Sequence, residues 1–286
     1  MKMDEELSVE SDVENTWCPG CGNFGILNAV KKAVERLESE GFHRSHLLIS
    51  AGIGCHGKIF DYLNLSGLYS LHGRETATIQ GMKFANPSLK VIAFGGDGNA
   101  YGEGLAHLIF AARRNSDITL IVHNNGNYAL TTGQKSPTSI KGFKGPSTPD
   151  GSVEEPIDPL DVLLSSGAGF ISRGYPGKMA HLTELIVEAV KHQGFSLVDV
   201  LQPCVTFNDT YEKYNELVEV LEEPAETRKE AVELLEKEES IPIGILYKEK
   251  MPVFNEKIYP EKNPMEDRMD EKERFEAVKK ILEERR

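Results

Sequence analysis

Apolar residues along the chain fall into two alternating patterns. Short, near-continuous apolar runs end in loops rich in glycine or asparagine: HLLISAGIG (46–54), LKVIAFGGDG (89–98), DITLIVHNNG (117–126), GFISRG (169–174) and FSLVDVLQP (195–203). Runs of that length without alternation suit strands buried on both faces. Between them lie segments with helical spacing. Residues 24–39 place Ile26, Leu27, Val30, Val34 and Leu37 on one stripe with Asn23 as N-cap, and 102–114 and 178–192 repeat the pattern. Strands alternating with helices predict an α/β fold, a parallel twisted sheet covered by helices on both faces.

Two segments depart from the alternation. Residues 127–160 are rich in Gly, Pro, Ser and Thr, a long loop expected to act as a lid or partner surface. After Cys204 charged helices are expected at about 211–238 and 270–286. The organisation expected is an N-terminal arm (1–16), a main α/β domain (17–210) and a charged helical C-terminal extension (211–286).

Composition narrows the class. The chain has 286 residues, 40% hydrophobic and 27% charged, enough for one large cored domain. A net charge of −13 without clustered Lys and Arg argues against nucleic-acid binding. The acidic opening MKMDEELSVESDVEN does not read as a signal peptide, and no apolar run reaches membrane-spanning length, so a cytoplasmic protein without membrane contact is expected.

In open parallel sheets, ligands sit beyond the carboxyl ends of the strands. There the pattern places Cys55, Asp97, Asn125 and Cys204. Cys18 and Cys21 form a Cys-x-x-Cys knuckle in WCPGCGNFG, with Trp17 expected to shield it. A zinc ribbon calls for a second such knuckle or a His pair, and a redox dithiol leaves Cys55 and Cys204 unused. Four thiolates suit an iron–sulfur cubane. A zinc knuckle with inert Cys55 and Cys204 stays open beside it.

GGDGNAYGEG (95–104) and NNGNYALTTG (124–133) make a second constellation. Asp97 and Asn125 at neighbouring strand ends suit Mg²⁺, and the glycines allow close approach of a diphosphate. GIGCHGKI (52–59) nearly matches a phosphate-binding P-loop, but Ile59 stands where a hydroxyl would hold the cation. His123, at a strand end, reads as structural.

Together, WCPGCGNFGILNA, GIGCHGKI, LHGRET, GDG (96–98), AARRNSDITLIVHNNGNYALTTGQ and DVLQPC resemble the β subunit of 2-oxoacid:ferredoxin oxidoreductases, from about Trp17 to Asp209. The resemblance implies a [4Fe–4S] cluster on Cys18, Cys21, Cys55 and Cys204. It implies Mg²⁺ on Asp97, the Asn125 side chain and the Asn127 carbonyl. Thiamine diphosphate would lie along Ile53, Gly54, Cys55, His56, Gly96, Gly98, Asn99, Ala129 and Leu130, with His56, His72 and Thr132 as catalytic candidates. It also implies CoA-dependent oxidative decarboxylation of a 2-oxoacid such as pyruvate or 2-oxoglutarate, or the reverse reaction, with electrons passing to ferredoxin. The partner is an α subunit that supplies the glutamate activating the cofactor, so this chain alone holds half a site.

Relatives handling 2-oxoglutarate often read GDGD and LTKGQ, where Asn99 and Thr132 stand here. Threonine cannot pair a distal carboxylate, which favours a smaller or less charged 2-oxoacid. Two other readings are a non-redox thiamine-dependent decarboxylase or synthase with structural zinc, and a zinc-stabilised scaffold without activity.

Overall fold

A computed structural model describes residues 8–237, 239–260, 265 and 270–285; expectations for 1–7 and the other positions lie outside the described residues. The strands are β1 (Leu47–Ala51), β2 (Ser66–Tyr69), β3 (Lys90–Gly96), β4 (Thr119–Asn124), β5 (Asn127–Tyr128), β6 (Gln134–Lys135), β7 (Phe170–Gly174), β8 (Ser196–Leu201), β9 (Val218–Val220) and β10 (Ile241–Lys248). The helices are α1 (Asn23–Ser39), α2 (Glu75–Ala85), α3 (Leu105–Arg114), α4 (Pro159–Ser165), α5 (Met179–Lys191), α6 (Tyr211–Leu217), α7 (Arg228–Leu235), α8 (Phe254–Ile258) and α9 (Glu271–Glu284).

Eight strands form one sheet in the order β2-β1-β3-β4-β8-β7-β10-β9. All pairings are parallel except that of β10 with β7. One face is covered by α1 packed with α5, where Ile26, Val30, Leu37, Leu182 and Ile186 meet Ile49, Phe94 and Val198. The opposite face packs Ile79, Leu108, Leu160 and Ala231 from α2, α3, α4 and α7 on Val91, Leu120 and Leu197. β3, β4 and β8 are thus buried on both faces, which is why their sequences lack alternation.

Four local features differ from the sequence expectation. Asn23 opens α1 but does not cap it; its Oδ1 is instead 2.7 Å from His123 Nδ1 across the core. The third helix starts late, because Gly98–Glu103 form a wide π-helical turn directly after Asp97. The expected helix over 211–238 is divided into α6, β9 and α7, with Pro224 between them. The segment after 210 also adds two strands to the main sheet, as well as helices, since β10 pairs with β7 and carries β9.

The arm, where described, lies across the 62–64 turn: Ser11 and Asn64 exchange backbone hydrogen bonds with Tyr62 and Val9, and Val9 is buried. Among the described residues no helix is long and apolar enough to cross a membrane.

Candidate active site

The loops leaving β1, β3, β4 and β8 converge on one edge of the sheet and build two cavities. The first, of about 80 Å³, is lined by Ile53, Gly54, Cys55, His56, Gly96, Gly98, Asn99, Ala129 and Leu130 together with Asp97, Asn125, Asn127 and His72. Every position expected to touch cofactor or cation is therefore brought to one place. Tyr128 and Thr131 complete the lining and were not anticipated.

Asp97 is buried at the end of β3. Ser136 Oγ donates to its Oδ2 at 2.5 Å, and the Thr138 hydroxyl lies 2.8 Å from the same oxygen and 2.9 Å from Asn124 Oδ1. Burial nevertheless raises the Asp97 pKa to about 6, because a lone carboxylate out of water lacks a full charge partner. The long loop is thus no free lid at this point: Ser136 and Thr138 pin it to Asp97, and Ser139 Oγ donates to the Gly126 carbonyl at 2.6 Å.

Asn125 donates from Nδ2 to Gln202 Oε1 at 2.9 Å, which leaves its Oδ1 on the opposite side, 3.1 Å from the Asn127 N–H. The Asn127 carbonyl accepts from Ala129 N–H at 3.1 Å, and Asn127 Oδ1 is buried with no partner among the described residues. The Asp97 carboxylate and the oriented Asn125 amide oxygen suit a hard, oxygen-seeking cation such as Mg²⁺; the Asn127 carbonyl expected beside them already accepts one hydrogen bond, and the partnerless oxygen of Asn127 is its side-chain Oδ1.

His56 is buried, its Nε2 has no partner among the described residues, and burial holds its pKa well below the usual imidazole value. It faces the cavity as a neutral ring. The glycines serve it too: a β-carbon on Gly96 would strike the His56 ring, and one on Gly98 would strike Tyr128. His72 Nδ1 is 3.2 Å from Glu103 Oε2, and its ring stacks on Tyr128. His123 is buried, its pKa lowered by burial to about 3, in keeping with a packed structural ring.

The second cavity, of about 290 Å³, is lined by all four cysteines, with Trp17, Asn23, Lys58, Gln202, Thr132 and Phe207 among its other walls. No disulfide joins the cysteines. Cys21 N–H donates to the Cys18 carbonyl, and Gly22 N–H to the Pro203 carbonyl, so the knuckle is tied to the segment bearing Cys204. Trp17 Nε1 donates to the Cys55 carbonyl at 2.6 Å and its ring packs edge-on against Phe24 and Tyr62. Burial raises the Cys21 thiol to about 11, with the other three sulfurs adding to the shift, and burial raises Cys55 as well. Thiols so placed are protonated unless a positive centre draws the protons off. Among the described residues no three His, Cys, Asp or Glu side chains close on a point as they would around one metal ion. The four thiols border one space, a donor set that fits a polynuclear core.

Lys58, in the near-P-loop set aside on sequence grounds, donates to Thr16 Oγ1 at 2.9 Å and lines the cysteine cavity, away from the first. One sequence expectation is relocated. Thr132 also lines the cysteine cavity and not the cofactor cavity, on a backbone with φ of +78°. Cys55, Asn125, Ala129 and Leu130 line both cavities and form their common wall.

Residues 52–200 match the family model of the thiamine pyrophosphate enzyme C-terminal TPP-binding domain, and residues 204–263 match that of the C-terminal region of the pyruvate ferredoxin oxidoreductase beta subunit. The 2-oxoacid:ferredoxin oxidoreductase subunit beta of Saccharolobus solfataricus is 42% identical over 268 residues, covering 87% of each chain. This chain is a β subunit of the 2-oxoacid:ferredoxin oxidoreductase family. The 2-oxoglutarate synthase subunit KorB of Archaeoglobus fulgidus is 37% identical, over 85% of this β subunit and 88% of its own length. The solved 2-oxoglutarate:ferredoxin oxidoreductase of Magnetococcus marinus, with 2-oxoglutarate, coenzyme A and succinyl-CoA bound, superposes with a TM-score of 0.86 at 34% identity over 96% of both chains. The β subunit is thus one component of an oxidoreductase, and the span matched to the TPP-binding domain holds the whole lining of the first cavity.

Ser136, Thr138, Gln202 and Tyr128 escape sequence reasoning. Single polar residues in irregular segments carry no periodic signal; only the family pattern of LQPC could have drawn attention to Gln202.

Proposed function

We propose that this β subunit, joined to an α subunit, catalyses CoA-dependent oxidative decarboxylation of a 2-oxoacid, or its reversal, using thiamine diphosphate, Mg²⁺ and a [4Fe–4S] cluster, with ferredoxin as electron partner. The observation that carries this reading is the common wall: Cys55, Asn125, Ala129 and Leu130 separate the cavity lined by Asp97, Asn127 and the glycine loops from a four-thiol cavity. A decarboxylase without redox chemistry has no use for that adjacency.

Bound here, thiamine diphosphate supplies a nucleophilic carbon and an electron sink, and the cluster supplies one-electron steps. Asp97, Asn125 and Asn127 would hold the cation against the diphosphate, while Gly96 and Gly98 leave room for the His56 ring and Tyr128 in the same wall. His56, neutral and unpartnered, would offer a hydrogen bond without adding charge. His72 is held by Glu103 and Tyr128 at the cavity's outer side. A space of about 80 Å³ encloses only part of such a cofactor, which supports completion of the site by the partner subunit.

For the substrate, threonine at position 132 supplies no cation for a distal carboxylate, so we favour a 2-oxoacid smaller or less charged than 2-oxoglutarate, such as pyruvate. The test is anaerobic purification of the αβ complex with iron, sulfide and zinc analysis, followed by assay against a 2-oxoacid panel. A brown protein absorbing near ~400 nm is expected. Zinc without iron overturns the redox reading, and a strong preference for 2-oxoglutarate overturns the substrate reading.

A further inference from the structure

Glu75, the first residue of α2, is fully buried, and neither of its carboxylate oxygens meets hydrogen-bond geometry with any described residue. A carboxyl in that condition costs stability and calls for a functional explanation. Its surroundings supply one. Asn99, in the wall of the cofactor cavity, accepts at Oδ1 from two backbone donors on different loops, Gly73 N–H at 2.8 Å and Ile53 N–H at 3.2 Å. That pair fixes the amide, and its Nδ2 must point the other way. Asn99 Nδ2 and Glu75 Oε1 converge on the bare face of Gly95, 3.4 and 3.2 Å from where a β-carbon would stand. Burial raises the Glu75 pKa, and the Asn99 amide opposes that rise, although their contact falls outside ordinary hydrogen-bond geometry.

We propose that Glu75 is a positioning residue: its carboxyl takes the Nδ2 side of Asn99 and so fixes the Oδ1 that ties the Ile53 and Gly73 loops around the cofactor. This rests on the reading that the first cavity holds thiamine diphosphate. A β-carbon at position 95 would crowd Ala100 Cβ as well as Glu75 Oε1 and Asn99 Nδ2, at 3.1 to 3.4 Å. Arg74, next in the chain, turns its guanidinium outward to the Gly73 and Glu103 carbonyls; its charge opposes the rise in the Glu75 pKa, but the two form no ion pair among the described residues.

The experiment uses the αβ complex, prepared anaerobically and titrated with thiamine diphosphate and Mg²⁺ by calorimetry, with melting temperature read in parallel. Glu75→Met fills the same volume without an acceptor. It is expected to keep or raise the melting temperature of the unliganded complex while weakening cofactor binding about tenfold, the scale on which outer-shell supports act. Glu75→Gln retains an acceptor oxygen and is expected to stay within about threefold of wild type. The Glu75→Met, Asn99→Ala pair should bind no more weakly than Asn99→Ala alone, since both act through one group.

Wild-type affinity in Glu75→Met, or losses that multiply in the double variant, overturns the inference. Should Glu75→Met fail to assemble, Asn99→Asp sets two carboxylates face to face and should weaken binding, and adding Glu75→Gln should restore it; no rescue overturns the inference equally. If wild type takes up no thiamine diphosphate, the functional reading itself fails. If wild type binds and Asn99→Ala does not, while Glu75→Met is silent, only the role of Glu75 fails.

Discussion

Gln202 joins the two cavities. Its Oε1 accepts from Asn125 Nδ2 at 2.9 Å, while its Nε2 lies 3.5 Å from Cys21 Sγ and 2.5 Å from the Pro203 carbonyl. One amide thereby orients a cation-ligand candidate and offers an N–H to a cluster-ligand candidate. Because the amide has distinct ends, the two duties can be separated by mutation.

Gln202→Glu keeps an acceptor for Asn125 but removes the N–H from Cys21 and adds negative charge beside four sulfurs. Thiamine diphosphate affinity is expected to hold, while the cluster's reduction potential falls by on the order of tens of millivolts. Gln202→Leu removes both ends and should weaken cofactor binding as well. Redox titration followed by electron paramagnetic resonance, alongside calorimetry, checks the split; equal damage by both variants in both measurements would refute it.

Asp97 gives a ligand prediction. Thiamine diphosphate with Mg²⁺ at about 100 times its Kd should stabilise the complex by about 2.7 kcal/mol, and Asp97→Ala should abolish the gain in a thermal melt. A shift that survives the substitution places the cofactor elsewhere.

The same residue gives a pH prediction. Its pKa rises from 3.8 to about 6 on folding, so between those values the folded chain binds the proton more tightly than the unfolded chain does. The metal-free fold therefore loses stability as pH rises through that window, and the loss is complete above about 6. Asp97→Asn should raise the metal-free melting temperature at pH 8, with the gain shrinking as pH falls below 6. Cofactor binding, which needs the carboxylate, should weaken over the same fall in pH. Melts and titrations across pH 5–8 measure both.

The thiols give a labelling prediction. Cys18 is exposed, whereas Cys21 is held at about 11 by burial and its neighbouring sulfurs. In iron-free protein at pH 7, iodoacetamide should modify Cys18 well before Cys21, as peptide mass spectrometry would show. Reconstitution with iron and sulfide should protect both, together with Cys55 and Cys204, and should release protons. Unchanged labelling after reconstitution would remove these residues from the ligand set.

Thr132 gives a backbone prediction. A β-branched residue at φ +78° carries strain of about 1–3 kcal/mol. Thr132→Gly is expected to stabilise the chain by about 1 kcal/mol and to slow turnover if that strain holds Leu130 and Thr132 against the cysteine cavity. Denaturant melts and steady-state rates decide between strain kept for function and strain that is incidental.

Apolar patterning alone specified the strands buried on both faces, the helices that cover them, and the loop-end position of Cys55, Asp97, Asn125 and Cys204. Those features are legible because burial imposes periodicity, and because a parallel strand delivers its last residues to one edge whatever follows. The sequence motifs also named the family. Tertiary structure decided the rest. Asn23 satisfies His123 instead of capping α1, a choice set by a residue one hundred positions away. Ser136 and Thr138 reach Asp97 from an irregular loop that has no period to read. β10, interrupted by Pro242 and Gly244, becomes a strand only because β7 offers a free edge. Thr132 falls on the cysteine side, and Gln202 reaches from the cysteine cavity to Asn125 in the common wall, because such placements depend on how loops cross above the sheet. Local pattern reports which surfaces must be buried; it does not report which polar atoms meet once they are.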